Sequence, residues 1–368
     1  MKTLGYPFLI ILCLCFQFCK KSEPGKPLPI LTKETVLPPG YNVNLYHYKK
    51  TIVQYLNVLN DIIVDSTDRS KAFLIGQFSS GSTFSLASAM GIVKFSSSSN
   101  TFSQYPSPFF YATITSLYQA SNGLHYIGGS FSDGTYSGCL GYKLPSSTSI
   151  TIIGGVNDLV NCITEFGNDI YFTGNFTYYN AAPCSPLLFF NKTTNAPVNS
   201  FGPQQYGTGA TRIVSYNSKP IIAGPGLSAY GRIYTTDGAT WDVACGGGFN
   251  GICYDLLSYN GKVYAGGYMT NSSINTSPMH YVNEYNGSFW VPVGVNNLPG
   301  ACNDIEIYNG TLYACGNQYI YSLDKNDNKW KSVVDAGTLS LGNVAMMKFL
   351  NGKLYVYMGY EFCELTKQ

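Results

Sequence analysis

A short phrase recurs along the chain: an apolar or aromatic strand that ends in or beside glycine. It reads FLIGQF from Phe73, YIGGSF from Tyr126, YFTGNF from Tyr171, IIAGPG from Ile221, YAGGYM from Tyr264, YACGNQ from Tyr313 and YVYMGY from Tyr355. The copies stand 42 to 53 residues apart. Four are preceded by Asn-Gly, at Asn122-Gly123, Asn260-Gly261, Asn309-Gly310 and Asn351-Gly352. That dipeptide supplies the positive φ at both central positions of a type I′ hairpin turn. Ahead of the phrase lie further strand segments, VNCITEF, TRIVSY, CYDLLSY, CNDIEIY and VAMMKF. Downstream comes a second hairpin, as in RIYTTDGATWDVA, YVNEYNGSFWVPVG and YIYSLDKNDNKWKSVV, where Trp241, Trp290 and Trp330 open the outer strand. Each repeat therefore predicts four short strands.

A four-stranded repeat of this length leaves both faces apolar when alone, and only neighbouring copies can cover them. The expected fold is all-β: a seven-bladed β-propeller of four-stranded antiparallel blades over residues 41–368. The last repeat runs out after three strands, at 344–350, 353–358 and 360–366. Its outer strand must come from elsewhere or leave an exposed edge. Trp241 and Trp290 each precede the next repeated aromatic by 23 residues, and counting 23 back from Phe73 gives position 50. The alternating segment Asn42 to Tyr48 beside it is expected to close the ring.

Composition supports strands over helices, with 39 Gly, 31 Tyr and 21 Phe in a Ser/Thr/Asn background. Only 11% of the 368 residues are charged, against roughly 25% in an average domain, and the net charge is +2. The arginines are Arg69, Arg212 and Arg232. Disorder and nucleic-acid binding are excluded, since the first needs low hydrophobicity and the second clustered cations.

Lys2 precedes an apolar run from Leu4 to Phe18, too short to span a bilayer, so residues 1–18 read as a signal peptide. Cys19, followed by Lys20-Lys21-Ser22-Glu23, resembles the lipidated cysteine of a bacterial lipoprotein, although Phe16 and Phe18 stand where that family carries Leu and a small residue. Cys15 is the other position for the lipid. Residues 19–40, with prolines at 24, 27, 29, 38 and 39, suit an extended tether. The expectation is export to the bacterial outer membrane, anchored there by lipid. Eight cysteines lie beyond the tether, an even number that could pair in an oxidising compartment or serve as small buried thiols.

The strand ending YxGG, the Asn-Gly turn and the Trp hairpin resemble kelch and galactose-oxidase-type propellers, and YIGGSFSDG and YFTGNFTYYN resemble blades of secreted bacterial propellers. The oxidase resemblance would imply copper held by two His and two Tyr. The three histidines, His47, His125 and His280, do not supply that set, and His125 adjoins a repeated strand. TTDGATW at 235–241 is similar to the Asp-box hairpin of sialidases, which would imply an arginine triad, but Arg69 sits in the turn STDRSK. No GxSxG, HExxH or P-loop occurs. The chain thus reads as a monomeric binding or scaffold module for a protein or glycan partner, without metal or cofactor. The alternative is a polysaccharide-active hydrolase or lyase.

Counting nine residues back from each repeated aromatic gives Val64, Leu117, Cys162, Arg212, Asp255, Asp304 and Met346, one per blade on the strand expected to line the central channel. Charges are scarce, so Arg212, Asp255 and Asp304 at one height form the candidate ligand or cation site, with the Gly246 to Gly251 loop above. The alternative is an Arg212 to Asp255 pair that staples adjacent blades.

Overall fold

The computed structural model describes residues 45–53, 56–78, 91–105, 113–131, 138–200, 209–210, 212–217, 219–223, 233–236, 241–243, 249–270, 278–336 and 338–367. The leader, Cys19, the tether, Arg232, Cys245 and the 246–248 part of the glycine loop lie outside them. Among the described residues there is no helix.

The strands form seven antiparallel sheets in chain order. The first is β2 (Leu56–Val64), β3 (Lys71–Phe78), β4 (Gly91–Ser96) and β5 (Thr101–Gln104). The second contains β6 (Thr113–Gln119), β7 (His125–Ser130), β8 (Gly138–Lys143) and β9 (Thr151–Val156). The third is β10 (Val160–Phe166), β11 (Asp169–Gly174), β14 (Leu187–Asn191) and β15 (Pro197–Ser200). The fourth is β16 (Arg212–Tyr216), β17 (Lys219–Ala223), β18 (Tyr234–Thr236) and β19 (Trp241–Val243). The fifth is β20 (Cys253–Tyr259), β21 (Lys262–Gly267), β22 (Val282–Tyr285) and β23 (Trp290–Pro292). The sixth is β24 (Cys302–Tyr308), β25 (Thr311–Gly316), β26 (Tyr319–Asp324) and β27 (Lys329–Ser332). The seventh joins β28 (Val344–Leu350), β29 (Lys353–Met358) and β30 (Glu361–Thr366) to β1 (Tyr48–Val53) from the other end of the chain. The opening strands touch one another in succession, and β28 returns to β2.

The closing strand differs from the sequence expectation. Of the expected segment Asn42 to Tyr48, residues 42–44 lie outside the described residues, and among those described the pairing with β30 runs from Tyr48 to Val53. Tyr46 instead bridges Val334 of the sixth sheet, and buried His47 meets Asp335 Oδ2 and Thr338 Oγ1, each at 3.0 Å. Burial selects this register, because Val53 and Ile52 join the apolar cluster between the last and first sheets.

Each buried apolar cluster among the described residues joins two adjacent sheets. At the closure, Phe95 of β4 meets Tyr355 and Phe362 of the last sheet edge to face, at 5.2 Å in both cases. The second sheet has six strands, because β12 (Tyr178–Tyr179) and β13 (Ala182–Pro183) leave the third repeat and add to β9. Tyr179 lies over Gly154, where a Cβ would come within 2.1 Å of the ring, and its hydroxyl donates to the Ile153 carbonyl at 2.8 Å.

The recurring glycine has a steric cause. Six opening strands carry a β-bulge near their start. At Gly76, Gly129, Gly174, Gly267 and Gly316 a Cβ would lie 2.0–2.3 Å from a carbonyl oxygen at or just before the start of the opening strand. Asn260-Gly261, Asn309-Gly310 and Asn351-Gly352 have positive φ at both residues, as expected for type I′ turns. At Asn122-Gly123 only Gly123 does. There Asn122 caps a longer turn, accepting from the Leu124 N–H at 3.1 Å and donating to the Lys192 carbonyl at 3.1 Å.

No disulfide joins the described cysteines, 139, 162, 184, 253, 302, 315 and 363, to one another, and six of them are buried. Cys253 and Cys302 occupy the place before the bulge that Ile114, Val160 and Val344 fill in other sheets.

Because β1 covers the edge of β30 and buries Val53, removing residues 45–53 is expected to lower the melting temperature by on the order of 10 °C and to promote aggregation. Scanning calorimetry of the shortened chain checks this, and a shift below about 2 °C would mean that β1 contributes little to closure.

Candidate functional site at the channel wall

The bulge sets which side chains share a level on the channel wall. The first residue after it pairs with the third residue of the repeated phrase: Asp61 with Ile75, Ser116 with Gly128, Cys162 with Thr173, Asp255 with Gly266, Asp304 with Cys315 and Met346 with Tyr357. Arg212 pairs with Ala223 in the same place. The structure thus sets Arg212, Asp255 and Asp304 at equivalent positions. In the first two sheets it replaces Val64 and Leu117 by Asp61 and Ser116. Counting from the aromatic failed there because the intervening turns, at 65–70 and 120–124, are longer than the two-residue Asn-Gly turns.

The bulge residues form one belt of hydrogen bonds between sheets. Asn60, Asn161 and Asn303 donate their side-chain amides to the carbonyls of Ile114, Ala210 and Val344 on the next opening strand, at 3.1, 2.9 and 2.9 Å. Thr115 donates its hydroxyl to Val160 in the same way. Tyr254 and Ala345 break the belt, and Tyr254 is instead exposed.

A second level runs one residue deeper. Asp255 accepts from Arg212 Nε at 2.9 Å and from the Ile305 N–H of the next sheet at 3.1 Å. Asp304 accepts from the Met347 N–H of the seventh sheet at 2.8 Å. Cys162 receives the Ile213 N–H at the corresponding place. Arg212 keeps 26% of its side-chain surface, Asp255 only 9%. Burial opposes the charge on Arg212, but Asp255 and then Asp61 more than offset it, so the guanidinium is held charged. Burial pushes the Asp304 carboxyl well above the usual range, against the pull of Lys348. Below them Lys348 forms an ion pair with Glu306. The fourth to seventh sheets are thus tied in succession by bonds to Asp255 and Asp304 on their opening strands.

The other titratable groups are structural contacts outside this wall. His125, between the first two sheets, stacks on Tyr105 with a 2.7 Å bond between Nδ1 and the tyrosine hydroxyl. Burial, and then Lys143, lower its pKa to about 4, while burial brings Lys143 down to about 8. His280 Nδ1 sits 3.1 Å from the Val293 carbonyl, and Arg69 occupies the β2–β3 turn. Among the described residues no three His, Cys, Asp or Glu side chains converge on a metal position.

Comparison with solved structures adds the architecture. The WD40 β-propeller domain of Doa1 superimposes with a TM-score of 0.56 at 9% identity, over 85% of this chain and 96% of that one. The fold is a β-propeller. The β-propeller domain of the Trilobed protease from Pyrococcus furiosus, which has an open velcro topology, matches with a TM-score of 0.52 at 11% identity, over 87% and 97% of the two chains. No known family profile matches this propeller, and no curated protein matches its sequence. At these identities the likeness is one of fold, which hosts many unrelated activities.

Asp304 yields a pH test. Its folded pKa is raised above the ordinary 3.8, so the folded state holds the proton more tightly than the unfolded chain. The resulting stability is complete below the unfolded value and is lost as pH rises through the folded one. Asp304→Asn retains an acceptor for Met347 and removes the titration. Its melting temperature relative to the parent should climb as pH rises above the ordinary carboxylate value of 3.8, and a constant difference would assign the titration elsewhere. Asp255→Ala removes the carboxylate to which Arg212 Nε and the Ile305 N–H both donate, at an expected cost of about 3–5 kcal/mol in denaturant unfolding.

Proposed function

We propose that this propeller is an exported binding or scaffold module for a glycan or protein partner, held to a bacterial outer membrane by a lipid on Cys19. On this reading the seven sheets are seven blades of one ring, 1–18 is a leader, and 19–40 is the tether. The recurring YxGG and Trp hairpins carry the kelch-like resemblance.

The observation that carries the binding reading is an asymmetry between the two channel mouths. Where the opening strands begin, Val58, Leu159, Tyr254, Tyr268 and Tyr360 are exposed, the three tyrosines by 38%, 56% and 66%. The first turns of the sheets at the other mouth, such as 259–262 and 308–311, are built from Asn-Gly and charged residues and carry no large apolar side chain exposed to that degree among the described residues, the exposed Leu144 and Phe289 of that end lying in the outer turns β8–β9 and β22–β23. Tyrosine offers a rigid apolar face with a polar tip, which suits both sugar stacking and protein contact. Arg212, Asp255 and Asp304 line the channel from the same end and would supply the polar contacts.

A glycan array probed with the purified protein tests the reading. Saturable binding without product release is expected, and Tyr254→Ser with Tyr268→Ser should weaken it about tenfold or more, as for buried aromatic anchors. Release of oligosaccharides from a polysaccharide panel would replace the scaffold by an enzyme.

Anchoring is tested separately. Labelling of cells with a fatty-acid analogue should mark the protein, and Cys19→Ala should abolish the label and move the protein to the soluble fraction. Persistent labelling would move the site to Cys15 or remove the lipoprotein reading.

A further inference from the structure

The interface between the fifth and sixth sheets lacks a ring that its neighbour holds. In the sixth and seventh sheets, Phe349 is the third residue after the first post-bulge position, and its ring stacks on Tyr308 with centroids 4.2 Å apart and planes 8° apart. It also meets Tyr313 at 4.8 Å. The fifth and sixth sheets present the same frame one step earlier, with Tyr259 and Tyr264 in place of Tyr308 and Tyr313. Ile307 stands where Phe349 would be. The shorter aliphatic side chain leaves a cleft of about 370 Å³, lined by Tyr259, Tyr264, Ile307, Leu312, Leu323 and Lys325.

The charges at the rim are uneven. Glu284 is neutralised by Lys262 at 2.8 Å, and Asp324 and Asp327 both engage Lys331, at 2.5 and 3.0 Å. Lys325 Nζ stands over Gly310, 3.3 Å from where a Cβ would be, and pairs with no carboxylate among the described residues. An exposed ammonium thus borders a slot whose shape, one interface away, is filled by a phenyl ring.

We propose that this cleft is a second binding site, separate from the tyrosine-bearing channel mouth, for an aromatic carboxylate. The ring enters between Tyr259 and Tyr264 where Phe349 lies in the next interface, and the carboxylate pairs with Lys325. The class includes free aryl carboxylic acids and the C-terminal aromatic residue of a peptide, which share the ring and the charge.

The test uses the full chain and 3-phenylpropionate as the probe, followed by ligand-observed NMR and calorimetry. Saturable binding is expected. Hexanoate, which lacks the ring, and 3-phenylpropanol, which lacks the charge, should each bind at least about threefold more weakly if ring and charge both contribute. Ile307→Phe builds the ring into the slot and should abolish binding while leaving the melting temperature equal or higher. Lys325→Gln, on an exposed side chain, should weaken the probe to the level of the alcohol and keeps the test open if Ile307→Phe does not fold. N-acetylglycyl-phenylalanine against 3-phenylpropionate then separates the peptide end from the free acid. Absence of saturable binding to the parent, or undiminished binding to Ile307→Phe or Lys325→Gln, would overturn the proposal, and neither result bears on the channel-mouth reading.

Discussion

Every sheet in this chain is apolar on both faces, so none is stable until its neighbours are in place. The constraint is cyclic: the first sheet needs the last. Phe95, Tyr355 and Phe362 meet across that seam, and Tyr355 reaches on through its hydroxyl to Asn100 of the first sheet at 3.3 Å. Their burial is among the largest contributions an apolar side chain can make, about 1.5–3 kcal/mol each before geometry is counted. The strand that completes the last sheet comes from the far end of the chain, so the seam joins residues more than 300 positions apart. The loop entropy of that closure falls on one interface, which aromatic contacts hold together.

Within the ring, the bulge near the start of six opening strands links backbone geometry to polar chemistry. It brings a carbonyl against the next strand, which is why glycine recurs at the end of the second strand. It also frees a side chain to bond the following sheet. Where that side chain is Asn or Thr, a neutral belt forms; one residue deeper, Asp255 and Asp304 perform the same task with a carboxylate. Buried carboxylates are costly, and the two solve the cost differently. Asp255 is paired with Arg212, whereas Asp304 has only a backbone donor and the more distant Lys348, so burial raises its pKa. In a chain with only 11% charged residues, Arg212, Asp255 and Asp304 are placed where each bond they make ties one sheet to the next.

The strand order was legible in the sequence because the aromatic-glycine phrase marks one strand per sheet and Asn-Gly fixes its hairpin. The level of a residue on the opening strand was legible only where that hairpin is two residues long. It failed at Asp61 and Ser116, since the turns Asp65–Ser70 and Ala120–Leu124 change the offset, and a bulge leaves no residue signature when Asn, Thr, Tyr and Ala all occupy it. The closing strand was placed a few residues too early for a related reason. Alternation in Asn42 to Tyr48 matches a strand, but the apolar pair that fits the seam is Ile52 and Val53. Side-chain burial decided the register, and local pattern could not.

Repetition also makes departures informative, because each interface is a control for the next. Tyr254 occupies a belt position where a hydrogen-bonding Asn would hold the neighbouring strand, and it faces solvent instead. Ile307 occupies a position where Phe349 shows that a ring packs. A chain under selection for stability alone gains by filling such places, since the larger side chain buries more apolar surface in a frame already shaped for it. Both departures fall on the fifth and sixth sheets, next to the charged pair of Arg212 and Asp255, and this is the sector from which the proposed binding sites are drawn, while the aromatic seam holds the opposite side of the ring together.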